Sequence, residues 1–106
     1  MPKYLIKVSY TAEGIKGLLS EGGSSRRAAV EELTKSLGGS LEAFYFAFGD
    51  NDLYLIAEVP DNATAATAAL IVTATGTVRT ETVVLLTPEE VDEATRKTAQ
   101  FRPAGG

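Results

Sequence analysis

The stretch from Leu41 to Val59 constrains the fold more than any other part of the sequence. Its residues, LEAFYFAFGDNDLYLIAEV, form two apolar segments joined by the polar turn Gly49–Asp52. Successive side chains of a strand point to opposite faces of a sheet, so strict alternation puts Phe44, Phe46 and Phe48 on one face of the first segment. The other face is apolar too, with Leu41, Ala43, Tyr45 and Ala47. A hairpin apolar on both faces predicts helices on one side of the sheet and a further layer, or a second copy of the chain, on the other.

Length and composition favour one small domain without a covalent staple or a metal. The chain has 106 residues, and a domain of this size removes roughly 65% of its unfolded surface from water. We predict a single domain over residues 1–100, followed by a flexible tail over residues 101–106, whose Phe101 could dock on the body of the domain. Cysteine and histidine are absent, which excludes disulfides, thiolate ligands and the commonest general base. We therefore expect no metal and no cofactor.

Charge and hydropathy argue against nucleic-acid and membrane partners. The net charge is −4, and the ten lysines and arginines are scattered along the chain, whereas nucleic-acid-binding domains gather them into a basic patch. No run approaches the ~20 apolar residues of a membrane helix. The N-terminal segment MPKYLIKVSY has two lysines within its apolar run, unlike a signal peptide. The prediction is a cytoplasmic protein.

Periodicity and capping signals predict the order of the elements. Alternation favours strands over residues 3–10, 41–48, 53–59 and 77–86. Caps at Thr11, Ser24 or Ser25, Asp61 and Thr87 predict helices over residues 12–21, about 24–37, 62–75 and 88 to about 100. This order predicts an α+β, ferredoxin-like βαββαβ fold: a four-stranded antiparallel sheet with helices on one face, plus a C-terminal helix. The apolar character of the open face favours an isologous homodimer packed through that face.

Several short motifs together resemble the GYD domain family over about residues 1–92. They are Met1-Pro2-Lys3-Tyr4, Gly38-Gly39, Phe48-Gly49-Asp50-Asn51-Asp52, Val59-Pro60-Asp61 and Gly76-Thr77-Val78-Arg79-Thr80. The Gly-Tyr-Asp signature of the family falls here on Gly49, Asn51 and Asp52, with Asp50 interposed and asparagine in the place of tyrosine. The resemblance implies a small bacterial protein related to the dimeric α/β barrels, with no established activity.

The turn residues Gly49, Asp50, Asn51 and Asp52 have a structural interpretation. Two carboxylates and one amide are fewer oxygen ligands than a calcium loop needs. Asp and Asn also bond their own backbone and tolerate left-handed geometry. We therefore interpret this segment as a turn and predict no metal there.

Polar side chains on the central strands are the candidate ligand-binding residues. Lys7 and Glu58 are expected on one face of neighbouring strands, where they can pair, with Tyr54 nearby. Arg79 in the last strand can hold a carboxylate through two parallel hydrogen bonds. These four residues also have a structural interpretation, as an ion pair and a charged rim of an interface, and we favour it over ligand binding. At the start of the second helix, one of Arg26 and Arg27 could enter a cleft and bind an anion, although an exposed position is the commoner one for arginine.

Two functions fit this sequence. The favoured one is a homo-oligomeric domain, non-enzymatic or at most weakly catalytic, which assembles through its sheet face and could enclose a small apolar or anionic ligand. The alternative is a cofactor-free dimeric α/β-barrel enzyme of oxygenase or isomerase type acting on a small organic compound, with Lys7, Tyr54, Glu58 and Arg79 as participants. The enzyme requires a pocket of about 300 Å³ or more.

Overall fold

The computed structural model describes residues 1–105, which form one four-stranded sheet and four helices. The strands are β1 (Lys3–Tyr10), β2 (Ser40–Phe46), β3 (Leu53–Glu58) and β4 (Val78–Leu85). The helices are α1 (Ala12–Glu21), α2 (Gly23–Ser36), α3 (Asn62–Ala74) and α4 (Pro88–Thr95). Among these helices, none combines the length and the apolar character needed to cross a membrane.

Three of the four helices begin at the capping residues predicted from the sequence. The exception is α2, which begins at Gly23 without a side-chain cap, so the predicted cap at Ser24 or Ser25 was wrong. The Thr11 hydroxyl accepts the Gly14 N–H at the start of α1, and the Asp61 carboxylate accepts the Thr64 N–H at the start of α3. At α4, Thr87 and Glu90 bond each other's backbone N–H groups in a reciprocal capping box. These side chains satisfy N–H groups that have no partner inside the helix, and the predicted helix starts at these caps are confirmed.

The sheet has the order β2-β3-β1-β4 with every neighbouring pair antiparallel. This order, with α1 and α2 between β1 and β2 and α3 between β3 and β4, confirms the predicted ferredoxin-like α+β fold. The helix-facing side of the sheet carries the buried core residues Val8, Leu53, Leu55 and Ala57. Val30 of α2 packs against this core, so β1 and β3 are the two central strands in position and in packing.

A β-bulge at Glu42 changes the faces of β2. Leu41 lies opposite Ala57 and Ala43 lies opposite Ile56, so the register shifts between them. A bulge places two residues against one on the partner strand and interrupts the alternation. Leu41 consequently joins Phe44 on the helix side. The prediction that Leu41 shares a face with Ala43 and Tyr45 was wrong for this reason.

The C-terminal region differs from the prediction in two ways. Helix α4 ends at Thr95 rather than near Gln100, and every residue from Pro88 to Thr95 is exposed. Short helices gain most of their stability from packing against the rest of the protein. No residue of α4 is buried, so no packing contact favours its extension toward Gln100. Phe101 is 86% exposed, so the expectation that it docks on the body was wrong. Of the predicted tail 101–106, Gly106 lies outside the described residues.

Candidate functional site

A cavity of about 400 Å³ separates the helices from the sheet. Its floor comes from the helix-facing side chains of the central strands, among them Tyr4, Ile6, Val8, Leu53 and Leu55. Its roof comes from α2 and α3, among them Val30, Leu33, Ala65, Ala69 and Val72. The alanines of α3 are too short to fill the space above the strands, so an apolar chamber of ligand size remains.

Charged groups on α1 and α2 lie at one end of this cavity. Arg26 contributes to the lining, and its Nη1 lies 3.3 Å from Oε2 of Glu21, which also lines the cavity. The Arg26 side chain is 35% exposed. Arg27 instead places its Nε 3.2 Å from Glu31 within α2, away from the cavity. The structure thus separates the two arginines: Arg26 enters the cleft and Arg27 stays at the surface.

Tyr10 stands at the same end of the cavity as Arg26. Its backbone N–H donates to Oδ2 of Asp52 at 2.8 Å, which ties the end of β1 to the β2–β3 turn. Burial raises the pKa of the Tyr10 hydroxyl above its ordinary value, and the nearby Arg26 guanidinium opposes this shift. The hydroxyl is therefore neutral around pH 7 and able to donate a hydrogen bond.

The opposite face of the sheet carries an apolar row that crosses all four strands. Strand register aligns Ala43 with Ile56, Ile56 with Leu5, and Leu5 with Val83. All four side chains are half-buried. We call these four residues the apolar row. The row beside it contains Tyr54, Lys7 and Glu81, so polar side chains border the row.

The four candidate residues taken from the sequence all lie on this open face and outside the cavity lining. Lys7 and Tyr54 are direct cross-strand neighbours. Arg79 lies opposite Ser9, and Glu58 lies opposite Lys3 at the other end of β1. The positions opposite Glu58 and Arg79 are six residues apart along β1, which corresponds to roughly 20 Å. Of the four candidates, the structure therefore brings together only Lys7 and Tyr54.

The expected pairing of Lys7 with Glu58 is replaced by a different ion pair. Lys3 Nζ lies 3.1 Å from Glu58 and 2.8 Å from Glu42. The hydrogen bond to Glu42, which has the larger effect, and the hydrogen bond to Glu58 raise the pKa of Lys3 above its ordinary value. The prediction had the correct face and strands, but the register puts Lys7 opposite Tyr54 and Lys3 opposite Glu58.

The turn after β2 holds the two central strands together. Asp52 accepts the Tyr10 N–H, and its own N–H donates to the Val8 carbonyl at 2.9 Å. Asn51 accepts a hydrogen bond from the Ser9 hydroxyl at 3.2 Å. Phe48 takes the left-handed φ of +57° and stacks on Phe46, which ends β2 two residues before the predicted limit. The turn is therefore a structural clamp on β1.

A known protein family matches most of the chain. The GYD domain family model matches residues 4–95 of the chain. This chain belongs to the GYD domain family. The resemblance drawn from the short motifs is thereby confirmed. No curated protein and no solved structure matches the chain significantly.

Two cavity residues of this GYD domain were missed or left undecided by the sequence analysis, which did not consider Tyr10 and did not separate Arg26 from Arg27, although a signal for each was present. Arg26 precedes Val30, Leu33 and Leu37 by four, seven and eleven positions, a spacing that places it on the buried stripe of α2. Arg27 is one residue out of phase with that stripe. Tyr10 continues the alternation of Tyr4, Ile6 and Val8 and so belongs to the helix-facing side of β1.

Proposed function

We propose that this GYD domain is a homodimeric small-molecule-binding domain: a small, largely apolar compound occupies the cavity between helices and sheet, and two copies pack through their open sheet faces. The observation that supports ligand binding is the cavity of about 400 Å³, lined mainly by apolar side chains. Pockets for small ligands have volumes of this order and comparable linings. Apolar side chains of its lining, such as Ile6, Val30 and Val72, are only partly buried, and apolar surface that stays open to solvent in this way commonly marks a binding site.

The apolar row supports assembly with a second copy. It crosses the whole sheet and leaves Ile56 and Leu5 only half-buried. Side chains of both signs, Lys7 and Glu81, lie beside it on one face. A face that combines an apolar centre with both charges is complementary to itself about a two-fold axis. We therefore assign Lys7 and Tyr54 to the polar border of the dimer interface.

The cavity is tested with 1-octanol as a neutral apolar probe and with two phenylalanine substitutions in α3. Ala69→Phe places a ring in the cavity, because Ala69 belongs to its lining, whereas Ala66 is exposed on the same helix. We expect calorimetric titration to detect octanol binding by the wild type and by Ala66→Phe, and no binding by Ala69→Phe. Equal binding by both variants, or none by the wild type, would contradict the proposal.

Chemical analysis of the same titration samples distinguishes binding from catalysis. After incubation with the protein under air, octanol should be recovered unchanged when the mixture is analysed by gas chromatography. Conversion of the probe by the wild type, lost in Ala69→Phe, would favour the cofactor-free enzyme over a binding domain.

Assembly is tested by sedimentation velocity at increasing protein concentration. Ile56→Glu puts a charge in the centre of the apolar row. Loss of a hot-spot residue at the centre of an interface costs about 2 kcal/mol or more, so the dissociation constant of the dimer should rise about thirtyfold. Leu70→Glu is the matched control, since Leu70 is 71% exposed on α3. A wild type that stays monomeric, or a dimer broken by Leu70→Glu and not by Ile56→Glu, would rule out the sheet-face dimer.

A further inference from the structure

The charged end of the cavity indicates what the ligand carries. Three charged residues, Glu13, Glu21 and Arg26, contribute to the lining described for residues 1–105. Arg26 is the one cation among them. Glu13 is paired with Lys16, which lies outside the lining, and Glu21 is paired with Arg26. A cation at the polar end of a mainly apolar chamber is a typical means of orienting a ligand that has an anionic group at one end.

Arg26 retains donors for such a group. The guanidinium presents five N–H groups in a fixed plane, and the recorded contact with Glu21 engages Nη1 at 3.3 Å. An ion pair between two partly exposed side chains contributes little free energy. A ligand carboxylate can therefore meet the remaining N–H groups, or replace Glu21, at small energetic cost.

Tyr10 completes the polar end. Its ring lies against α1, where its Cδ1 would be 2.9 Å from a Cβ on Gly14. Asp52 fixes its backbone from the other side. The hydroxyl of a rigidly held tyrosine next to an arginine offers a second donor to the same carboxylate.

We propose that the cavity binds a small monocarboxylate, whose carboxylate contacts Arg26 and the Tyr10 hydroxyl and whose aliphatic or aromatic body lies over β1 and β3. The inference rests on the proposed function and deepens it by giving the ligand a chemical class. The body meets Ile6, Val8 and Leu55, which supply apolar contact without a charged partner.

Two ion pairs of the chain provide matched variants for the test. Arg26–Glu21 lines the cavity, and Arg27–Glu31 lies outside it. The probes are octanoate and 1-octanol, which share an eight-carbon body and differ in charge. Calorimetric titration of each probe is carried out with the wild type, Arg26→Gln, Arg27→Gln, Glu21→Gln and Glu31→Gln.

We expect Arg26→Gln to weaken octanoate binding about tenfold or more, the effect of losing a charge-assisted hydrogen bond, and to leave octanol binding unchanged. Glu21→Gln removes the competing carboxylate and should strengthen octanoate binding several-fold. Arg27→Gln and Glu31→Gln, which make the same changes of net charge, should leave both probes unaffected.

The outcomes distinguish this inference from the function on which it rests. Octanol binding together with octanoate binding that is insensitive to Arg26→Gln would overturn the carboxylate site and leave the apolar cavity in place. Equal losses in Arg26→Gln and Arg27→Gln would also overturn it, because they would reflect net charge alone. A wild type that binds neither probe would overturn both proposals.

Discussion

Replacement of Gly14 by alanine tests the contact that positions α1 over the cavity. Gly14 is buried in α1, and a Cβ at this position would lie 2.0 Å from the Thr77 carbonyl oxygen and 2.9 Å from Cδ1 of Tyr10. The same oxygen accepts the Thr11 N–H at 3.0 Å. Because the obstacle is backbone, α1 can accept the methyl group only by moving away from the start of β4.

The expected cost follows from three contributions. Overpacking costs about 1–3 kcal/mol, and a backbone neighbour at 2.0 Å places Gly14→Ala toward the upper limit. The displaced helix also weakens the Thr11–Thr77 hydrogen bond, with a net value of about 1 kcal/mol. The gain from alanine in a helix, about 0.5–1 kcal/mol, offsets part of this. We expect a loss of about 3 kcal/mol in the free energy of unfolding.

Gly17 supplies the control in the same helix. A Cβ there meets nothing within 4 Å, so Gly17→Ala should stabilise the protein by about 0.5–1 kcal/mol through helix propensity alone. Urea unfolding followed by circular dichroism measures both variants, with the slope m checked for constancy. If Gly14→Ala is as stable as the wild type, or if both variants shift in one direction, the close approach of α1 to Thr77 is refuted.

Two further predictions concern the caps and the clamp. Asp52→Ala removes the acceptor of the Tyr10 N–H and should lower the free energy of unfolding in urea by about 1–2 kcal/mol. Asp50 is exposed, so Asp50→Ala should change it by less than about 0.5 kcal/mol. Equal losses in the two variants would exclude the clamp. Bonds from the Thr64 hydroxyl and N–H lower the pKa of Asp61, so its contribution is present above the ordinary aspartate pKa and is lost as the pH falls through the folded-state value. Asp61→Asn should reduce the fall in melting temperature at acid pH. A fall equal to that of the wild type would contradict the contribution assigned to the Asp61 carboxylate.

The parts of the fold that could be predicted from sequence are those with local causes. Thr87, Pro88 and Glu90 give the start of α4 because all of the capping partners lie within four residues. Gly38 and Gly76 follow α2 and α3 with φ of +80° and +75°, a conformation that glycine adopts without strain. Strand order followed in turn from element order and handed crossovers.

The features that could not be predicted depend on distances between layers. The bulge at Glu42 leaves no mark in the apolar pattern of β2, since residues of both parities are apolar there. The cavity arises from the separation of α3 from the sheet, which is set by packing against other elements. Arg26 is in phase with the apolar stripe of α2 and Arg27 is not, but the contact of Arg26 with the cavity depends on how α2 packs over the strands.

The central strand β1 connects the two proposed surfaces. Its even-numbered residues, from Tyr4 to Tyr10, line the cavity, and its odd-numbered residues Leu5 and Lys7 face the open side. The single strand β1 therefore lies between the proposed ligand and the proposed partner, and its alternating side chains contact one or the other. The Asp52 clamp fixes the end of β1 from which Tyr10 reaches the cavity. A sheet that is apolar on both sides is thus consistent with two separate tasks, with ligand binding on the helix side and assembly on the other.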